Sequence, residues 1–395
     1  MADDGVVVAG DGVVDAELLV ALRARAAEVG LAAMGVASAE PMVGVREVLE
    51  DRRRRGLDAG MQFTYRNPLR STDPQRALPG ARSLVVAAMG YGDGASGGAP
   101  SAPDRPRGSV ALYARRDYYS ELRSALGELA GLLQRAGWRA RVLADDNALV
   151  DRAAAHKAGL GWFGKNCNIL LPDLGSLFVL GSVLSDAPLS TDKPVDDGCG
   201  RCTRCHSACP TGALIGAGIM DASRCLAWLL QKPGDFPVEF REALGDRLYG
   251  CDDCQTVCPV NTRAARSASA GVDANRRSAR TDAKEPQEKA APGGTGELDQ
   301  VDILDLLSAS DGDLLARFGR WYIPKRDPRA LRRNALIVLG NTADGRSQEV
   351  EAALRRYLGS GDALLVSHAA WAAQRLGRED LLSPLQLQMG DVSGK

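Results

Sequence analysis

The chain has 395 residues, of which 45% are hydrophobic and 25% are charged, as in an ordinary globular protein of two or three domains. Its net charge is −1, which excludes attraction to nucleic acid by the overall field and leaves only local basic patches for that purpose. The acidic start, MADDGVVVAGDG, lacks the features of a signal peptide, and no apolar run is long enough to cross a membrane. We therefore expect a cytoplasmic protein without membrane contact.

The first part of the chain alternates between helical and strand patterns. Apolar residues at helical spacing predict helices over 15–29, 41–56 and 119–136, and apolar runs predict strands over 31–38, 83–91 and 138–145. A further helix begins near Asp151 and ends at Gly159 and Gly161, and two apolar strands flank a turn at Gly175. This alternation predicts an α/β domain over residues 1–190.

Two cysteine runs dominate the middle of the chain. The first, CGRCTRCHSACP, has the bacterial ferredoxin spacing C-x2-C-x2-C-x3-C-P, in which three thiolates bind one [4Fe–4S] cluster and the fourth binds a second cluster. The second run, CDDCQTVCP, has Leu248 where its leading cysteine would stand, and Cys225 is the only cysteine between the runs. The spacing therefore predicts a ferredoxin-like domain with two clusters over residues 191–262.

The predicted ligand sets use eight of the nine cysteines. One cluster takes Cys199, Cys202, Cys205 and Cys258, and the other takes Cys209, Cys225, Cys251 and Cys254. The remaining thiol, Cys167, is expected to be a small buried residue. Zinc sites and disulfides are the alternatives. The x3-C-P endings disfavour closed zinc sites, and a long, cysteine-sparse chain without an export signal disfavours disulfides.

The last part of the chain begins with a segment that cannot form a core. Residues 263–300 are rich in Gly, Pro, Ser and Ala, have almost no large apolar residues, and are predicted to be a disordered linker. From residue 301 to 395 the pattern is helical, and the last helices are separated by short turns that contain glycine, which predicts HEAT-like repeats. Arg329, Arg332 and Arg333 form a basic group that by itself is a solvated helix face.

Several of these segments together resemble one enzyme family. VDRAAAHKAGLGWFGKN, CGRCTRCHSACPTGAL, Cys225 and GDRLYGCDDCQTVCPVN follow one another as they do in epoxyqueuosine reductases, the cobalamin-dependent iron–sulfur enzymes of the last step of queuosine synthesis in tRNA. The resemblance extends from the first helix to the last. It implies that the α/β domain holds cobalamin against the inserted ferredoxin-like domain, and that the C-terminal helices are HEAT-like.

The resemblance also implies roles for individual residues. From its position alone, Asp151 could equally be a favourable charge at a helix N-terminus, whereas the family's proposed proton donor is the matching aspartate. Cobalamin contacts are implied at Arg70, Tyr113, Asp151, Gly175 and Asp186. The segment YARRDYY departs from the family's common YA-x-G-x-DYH, because a glycine is missing and Tyr119 replaces the histidine.

The resemblance predicts reduction of epoxyqueuosine in tRNA. Clusters would pass electrons to cobalt, and Asp151 would protonate the departing oxygen. Candidate tRNA contacts are Lys232, Arg329, Arg332 and Arg333, with Trp321 and Tyr322 as flanking aromatics. The electron donor would be a flavodoxin or ferredoxin, and the protein is expected to be a monomer.

The alternatives are a reductive dehalogenase, which the missing export signal and the helical C-terminal domain disfavour, and an electron carrier without a catalytic site.

Overall fold

The structure, a computed structural model, describes residues 11–91, 102–264 and 298–390. Within those ranges, no helix is both long enough and apolar enough to span a membrane. The helices are α1 (Asp11–Glu28), α2 (Val43–Arg54), α3 (Pro68–Ser71), α4 (Tyr118–Arg135), α5 (Asp151–Lys157), α6 (Arg204–Ala208), α7 (Leu226–Leu229), α8 (Arg241–Leu244), α9 (Asp253–Thr256), α10 (Ile303–Ser308), α11 (Asp311–Phe318), α12 (Arg329–Thr342), α13 (Gln348–Leu358), α14 (Ala363–Arg375) and α15 (Pro384–Gly390). The strands are β1 (Ala33–Ser38), β2 (Ser83–Gly90), β3 (Arg107–Val110), β4 (Ala140–Ala144), β5 (Trp162–Phe163), β6 (Ile169–Leu170), β7 (Phe178–Ser185), β8 (Leu214–Gly216), β9 (Ile219–Met220), β10 (Arg247–Tyr249) and β11 (Gln300–Asp302).

A four-stranded sheet in the order β1-β2-β7-β4 forms the centre of the N-terminal part. Its strand pairs are all antiparallel. Alternate residues of β2 point to opposite faces: Val85 and Ala87 pack with α1 and α4, and Leu84 and Val86 pack with α5. Because both faces are covered by helices, β7 is buried along its whole length and β2 is buried up to Met89. The predicted α/β layers are therefore present, with antiparallel strands.

A second sheet, in the order β10-β3-β11, joins the three parts of the chain. Its central strand, β3, comes from the N-terminal part, whereas β10 follows the first cysteine run and β11 begins the C-terminal part. Gln300 pairs with Ser109, and the N–H of Val110 donates to the carbonyl of Asp299. The prediction of disorder was therefore wrong for residues 298–300; the predicted linker from 265 to 297 lies outside the described residues.

The C-terminal helices pack on their neighbours in the chain. Helix α14 packs against α12, α13 and α15, and α10 packs against α12 and α13. The buried residues of these helices belong to the same hydrophobic cluster as Leu226, Leu230 and Phe236, which lie between the cysteine runs. The helical prediction is confirmed for the elements from α10 to α14, and the HEAT-like assignment stays a prediction. The C-terminal part shares one core with the ferredoxin-like part.

A buried arginine on α12 holds the segment between the cysteine runs. The Arg333 side chain is 0% exposed, and its guanidinium donates to the carbonyls of Leu229, Leu230, Lys232 and Gly234 at 2.7–3.1 Å. Burial lowers the pKa of Arg333 to about 10. The prediction that Arg333 contacts tRNA was wrong, because its donors are directed at backbone carbonyls inside the protein.

We expect Arg333→Met to lower the free energy of unfolding by about 3 kcal/mol, because four buried carbonyls lose their donor. Urea denaturation followed by circular dichroism measures this change. The matched control is Arg329→Met on the same helix, because the Arg329 side chain is 54% exposed. An equal loss of stability in the two variants would contradict the prediction.

Candidate redox and catalytic site

Four thiols from both cysteine runs and the segment between them lie close together. Burial raises the pKa of Cys254, and the neighbouring thiols of Cys251, Cys225 and Cys209 raise it further. Burial likewise raises the pKa of Cys225, and Cys209 again contributes. These are the four cysteines that the spacing assigns to one cluster, and Cys225, the ligand that had to come from outside the runs, is among them.

The other predicted set also lies together. Burial raises the pKa of Cys205, with Cys199 and Cys202 as smaller contributors. Cys258 is buried in a small apolar cluster against which Cys199 packs. Cys254 also interacts electrostatically with Cys205 of the other set, so the two sets adjoin, and the division of the cysteines between two clusters stays a prediction. Cys167 is half-buried rather than fully buried, and its thiol interacts electrostatically with Cys225 and Cys205.

Backbone donors point at the sulfur of Cys209. The N–H of Ala213 lies 3.2 Å from Sγ, and the hydroxyl of Thr211 lies 3.7 Å from it. Burial alone would raise the pKa of Cys209, but hydrogen bonds from Thr211, Ala213 and Leu214 outweigh burial and lower it. N–H donors stabilise negative charge on sulfur, so this environment suits a thiolate that binds iron.

Asp151 is the first residue of α5, and the Oδ1 atom of its half-buried side chain is buried. Oδ1 is inaccessible to solvent and has no hydrogen-bond partner among the described residues. Burial raises the pKa of Asp151 well above its usual range, Asp145 raises it further, and Arg152 opposes the shift. The carboxyl does not cap the backbone of its own helix. A carboxyl group that retains its proton and faces no protein partner is suited to donate that proton to a bound molecule.

Tyrosines connect Asp151 with the second cysteine run. Burial raises the pKa of Tyr119, and Asp151 is the next cause. Burial also raises the pKa of Tyr91, followed by Asp252 and Tyr119. Asp252 lies between Cys251 and Cys254 in the sequence and accepts a hydrogen bond from the N–H of Leu112. The sequence analysis did not identify Tyr91 or Asp252 as site residues. Tyr91 ends a predicted strand and Asp252 lies inside a cysteine run, and neither residue forms a recognisable motif there.

Tyr113 lies in the same region, as the sequence predicts. Its hydroxyl accepts a hydrogen bond from the Gln231 side chain at 2.9 Å, and its ring centroid lies 6.4 Å from that of Tyr249. Burial raises the pKa of Tyr113, and Tyr249, Asp252 and Tyr91 raise it further. Tyr113 therefore stands between the tyrosines beside Asp151 and the segment that follows Cys225.

Gly175 lies where the α/β part meets the end of the second cysteine run. Its φ is +73°, and a Cβ atom there would overlap the carboxamide of Asn261. That carboxamide accepts from the N–H of Ser176 at 2.6 Å. The position requires glycine because the backbone and Asn261 approach so closely. Arg70, on α3, is exposed and makes no hydrogen bond to Asp151, Tyr113 or Gly175 within the described chain.

Asp186 lies at the other end of β7 from Gly175, and its predicted cobalamin contact stays a prediction. It follows β7, whereas Gly175 precedes it, and the strand's eight residues separate the two by roughly 25 Å. Asp186 accepts from the backbone and side chain of Arg139, each at 2.8 Å. Burial would raise the pKa of Asp186, but these bonds outweigh it and lower the pKa. Asp186 joins two strand ends.

The remaining tRNA candidates differ in their exposure. Arg329 is exposed and pairs with Asp327, and Lys232 is half-buried. Only 11% of the Arg332 side chain is exposed, and its guanidinium binds Asp311 and the carbonyl of Ala309, which corrects the prediction that it contacts RNA. Trp321 is buried and stacks on Tyr249, whereas Tyr322 is 55% exposed. Arg329, Lys232 and Tyr322 are therefore the candidate tRNA contacts whose side chains are accessible from solvent.

We expect Cys225→Ser to lower the iron content of anaerobically reconstituted protein from about eight to about four atoms per chain, because one cluster loses a ligand. Iron and sulfide analysis measures this content. Cys167→Ser is the matched control and should retain about eight irons. Loss of iron in the Cys167 variant but not in the Cys225 variant would show that the ligand sets are wrong.

Comparisons with known proteins identify two regions of the chain. Residues 198–261 match the family described as 4Fe-4S double cluster binding domain. Residues 71–146 match the family described as Epoxyqueuosine reductase QueG, DUF1730. The first region contains both cysteine runs, so the iron–sulfur assignment of this part of the chain is confirmed. The second contains β2, β3, α4 and β4, and ends shortly before Asp151.

Whole-chain comparisons agree with these matches. The epoxyqueuosine reductase of Bacillus cereus is 33% identical over 319 residues, which cover 79% of this chain and 77% of that protein. That of Aliivibrio fischeri is 32% identical over 365 residues, 91% of each chain. The crystal structure of an epoxyqueuosine reductase with an epoxyqueuosine-modified tRNA-Tyr stem loop superposes with a TM-score of 0.80 at 27% identity, covering 96% of this chain and 95% of that one. This chain therefore belongs to the epoxyqueuosine reductase family of enzymes.

Proposed function

We propose that this protein reduces epoxyqueuosine to queuosine at the wobble position of a tRNA anticodon, with cobalamin, two [4Fe–4S] clusters and Asp151 as the proton donor. The observation that carries the proposal is the buried Oδ1 of Asp151, without a partner among the described residues, and its electrostatic connection to the thiols of one predicted cluster. The link between them is Arg152, the next residue, which interacts electrostatically with both Asp151 and Cys225. The family to which the chain belongs supplies the substrate class.

The thiolates are proposed to hold the clusters in the two sets already described. The set with Cys225, Cys251 and Cys254 lies nearer to Asp151, because Arg152 and Asp252 connect it to the tyrosines. The set with Cys199 and Cys258 packs around Trp162 instead. This arrangement suits a one-electron carrier, such as a flavodoxin or ferredoxin, that reduces one cluster while the other delivers electrons to the site. The protein is proposed to work as a monomer in the cytoplasm, where its tRNA substrate is found.

Cobalamin would supply the reducing equivalents for the epoxide, which no side chain can store. The orphaned Oδ1 of Asp151 and the surrounding tyrosines fit a site that holds a further group, because a buried oxygen without a partner is unfavourable in the protein alone. Tyr113, the backbone around Gly175 and Asp151 are proposed to border the cofactor. Arg70, on its exposed helix, and Asp186, after β7, are also proposed as contacts.

The proposed work of Asp151 is proton donation to the epoxide oxygen as it leaves. The reaction removes that oxygen as water and leaves an alkene, so it consumes two electrons and two protons. Because burial raises the pKa of Asp151, its carboxyl retains a proton at a pH where an exposed aspartate has lost it. Turnover should therefore decrease as the pH rises through this raised pKa.

The tRNA is proposed to contact Lys232, Arg329 and Tyr322. A related enzyme of the same fold has been crystallised with a modified tRNA stem loop. Arg333 holds the carbonyl of Lys232 at 2.7 Å, so the backbone that carries this lysine is fixed by α12, the helix on which Arg329 lies. A basic side chain and an exposed aromatic ring are the groups that bind phosphates and splayed bases in RNA.

We expect Asp151→Asn to retain both clusters and to lose nearly all turnover of an epoxyqueuosine-containing stem loop, because the amide has no acidic proton. Product nucleosides measured by mass spectrometry give the rate. The folded-state pKa of Asp151 is raised, so ionisation of this carboxyl destabilises the folded state once the pH exceeds the unfolded-state pKa. Replacement of Asp151 by Asn removes this effect and should therefore not lower the free energy of unfolding near neutral pH.

The control for this variant is Asp73→Asn, because Asp73 also stands at the start of a helical turn but, unlike Asp151, accepts a backbone hydrogen bond there. It should retain turnover. Unchanged turnover in Asp151→Asn would remove Asp151 from the mechanism. Absence of product from the wild-type chain with cobalamin, clusters and a strong reductant present would overturn the proposed function.

We expect Lys232→Ala and Arg329→Ala each to weaken binding of a tRNA stem loop about fivefold. Each should also reduce the slope of log affinity against log salt concentration by the amount that about one phosphate contact contributes. Fluorescence anisotropy at several salt concentrations measures both effects. Arg355→Ala is the control, because Arg355 is exposed on α13 and pairs with Glu351. An Arg355 variant as weak as the other two would contradict the assignment.

A further inference from the structure

The indole of Trp162 has a buried donor without an acceptor. The side chain is 7% exposed, and Nε1 has no hydrogen-bond partner among the residues that the structure describes. Leaving a buried N–H unpaired costs about 1–3 kcal/mol, so such groups in folded proteins are usually paired. Two other tryptophans show the usual situation: Trp228 donates to the carbonyl of Ala59 and Trp321 to that of Ala114. The N–H of Trp162 therefore indicates an acceptor that is not a protein atom.

The ring lies against two of the cysteines in one predicted ligand set. It packs in an apolar cluster with Leu170, Cys258 and Val260, and Cys199 packs against the same cluster. A Cβ atom on Gly198, the residue before Cys199, would lie 2.6 Å from Cζ2 and 3.0 Å from Cε2 of the ring. Cε2 is the ring carbon bonded to Nε1. The edge of the indole that carries the N–H thus borders the segment that leads into Cys199.

The local fold keeps the indole in this place. Trp162 pairs with Leu170 in the β5–β6 hairpin, and both side chains belong to the same apolar cluster. Gly198 has no side chain, which allows the ring to approach the backbone directly before Cys199. The neighbouring Phe163 points the other way and is exposed. The hairpin therefore presents one aromatic ring to the cysteines and the next to solvent.

We propose that the indole N–H of Trp162 donates a hydrogen bond to a sulfur of the cluster held by Cys199, Cys202, Cys205 and Cys258, and thereby raises the reduction potential of that cluster. The proposal rests on the ligand sets of the proposed function, not on the substrate. An added electron increases the negative charge on the cluster sulfurs, so an N–H donor stabilises the reduced form more than the oxidised form. Its effect is to make this cluster easier to reduce.

The first test is a redox titration of anaerobically reconstituted full-length protein, followed by electron paramagnetic resonance. Trp162→Phe keeps an aromatic ring and removes the donor. We expect about a tenfold weaker preference for the reduced state of one cluster, which is a shift of about 59 mV to lower potential for one electron. Trp228→Phe is the matched control, because its indole already has a carbonyl acceptor, and it should leave this potential unchanged. An unchanged potential in Trp162→Phe would overturn the proposal.

Cys258→Ser identifies which of the two clusters responds. The redox transition that Cys258→Ser alters must be the same transition that Trp162→Phe shifts to lower potential. A shift of the other cluster's transition would overturn the proposal. The second test needs no variant that could misfold: wild-type protein carrying indole-¹⁵N tryptophan should show ¹⁵N coupling to the reduced cluster in electron–nuclear double resonance, and its absence would also overturn the proposal. Both readouts are independent of tRNA turnover, so a failure of the proposed substrate leaves them interpretable.

Discussion

The hydrogen bonds from Arg333 to the segment between the cysteine runs are the interaction on which the rest of the site depends. Cys225 precedes α7, and the carbonyls that follow this helix, from Leu229 to Gly234, are bound by one buried guanidinium. Asn334, the next residue, donates to Leu230 and Leu248, so the same helix also reaches the strand before Cys251. A helix of the C-terminal part thus places Cys225 beside the second run. The cost of burying this charge is offset by the carbonyls it binds.

Burial away from water also raises the pKa of Asp151. A carboxyl at a helix N-terminus would ordinarily accept backbone hydrogen bonds and stay ionised, but this one accepts none and is surrounded by tyrosines and by Asp145. Burial raises the pKa of Asp151, and the charge of Arg152 opposes this shift only in part. The same physical effect acts on Tyr91, Tyr113 and Tyr119, whose burial keeps them neutral.

The residues that sequence reasoning placed wrongly share one feature, a charge. Arg332 and Arg333 were assigned to tRNA because they belong to a basic helix flanked by aromatic residues, yet each is bound by the protein itself. Nothing in the local pattern distinguishes Arg333, which is buried, from Arg329, which is exposed four residues earlier on the same helix. The distinction arises from a segment about a hundred residues away in the chain, whose carbonyls require a donor.

The sequence by itself determined the two cysteine runs of the iron–sulfur domain, the buried strands and most helices, because short spacings and apolar periodicity are local properties of the chain. Even the departure at Leu248 led to Cys225, since Cys225 is the only cysteine between the two runs. Only the tertiary structure decided which charges remain free, that β3 joins all three parts of the chain, and that Asp186 lies at the opposite end of β7 from Gly175. These facts depend on contacts between residues far apart in sequence, and on the burial that such contacts create.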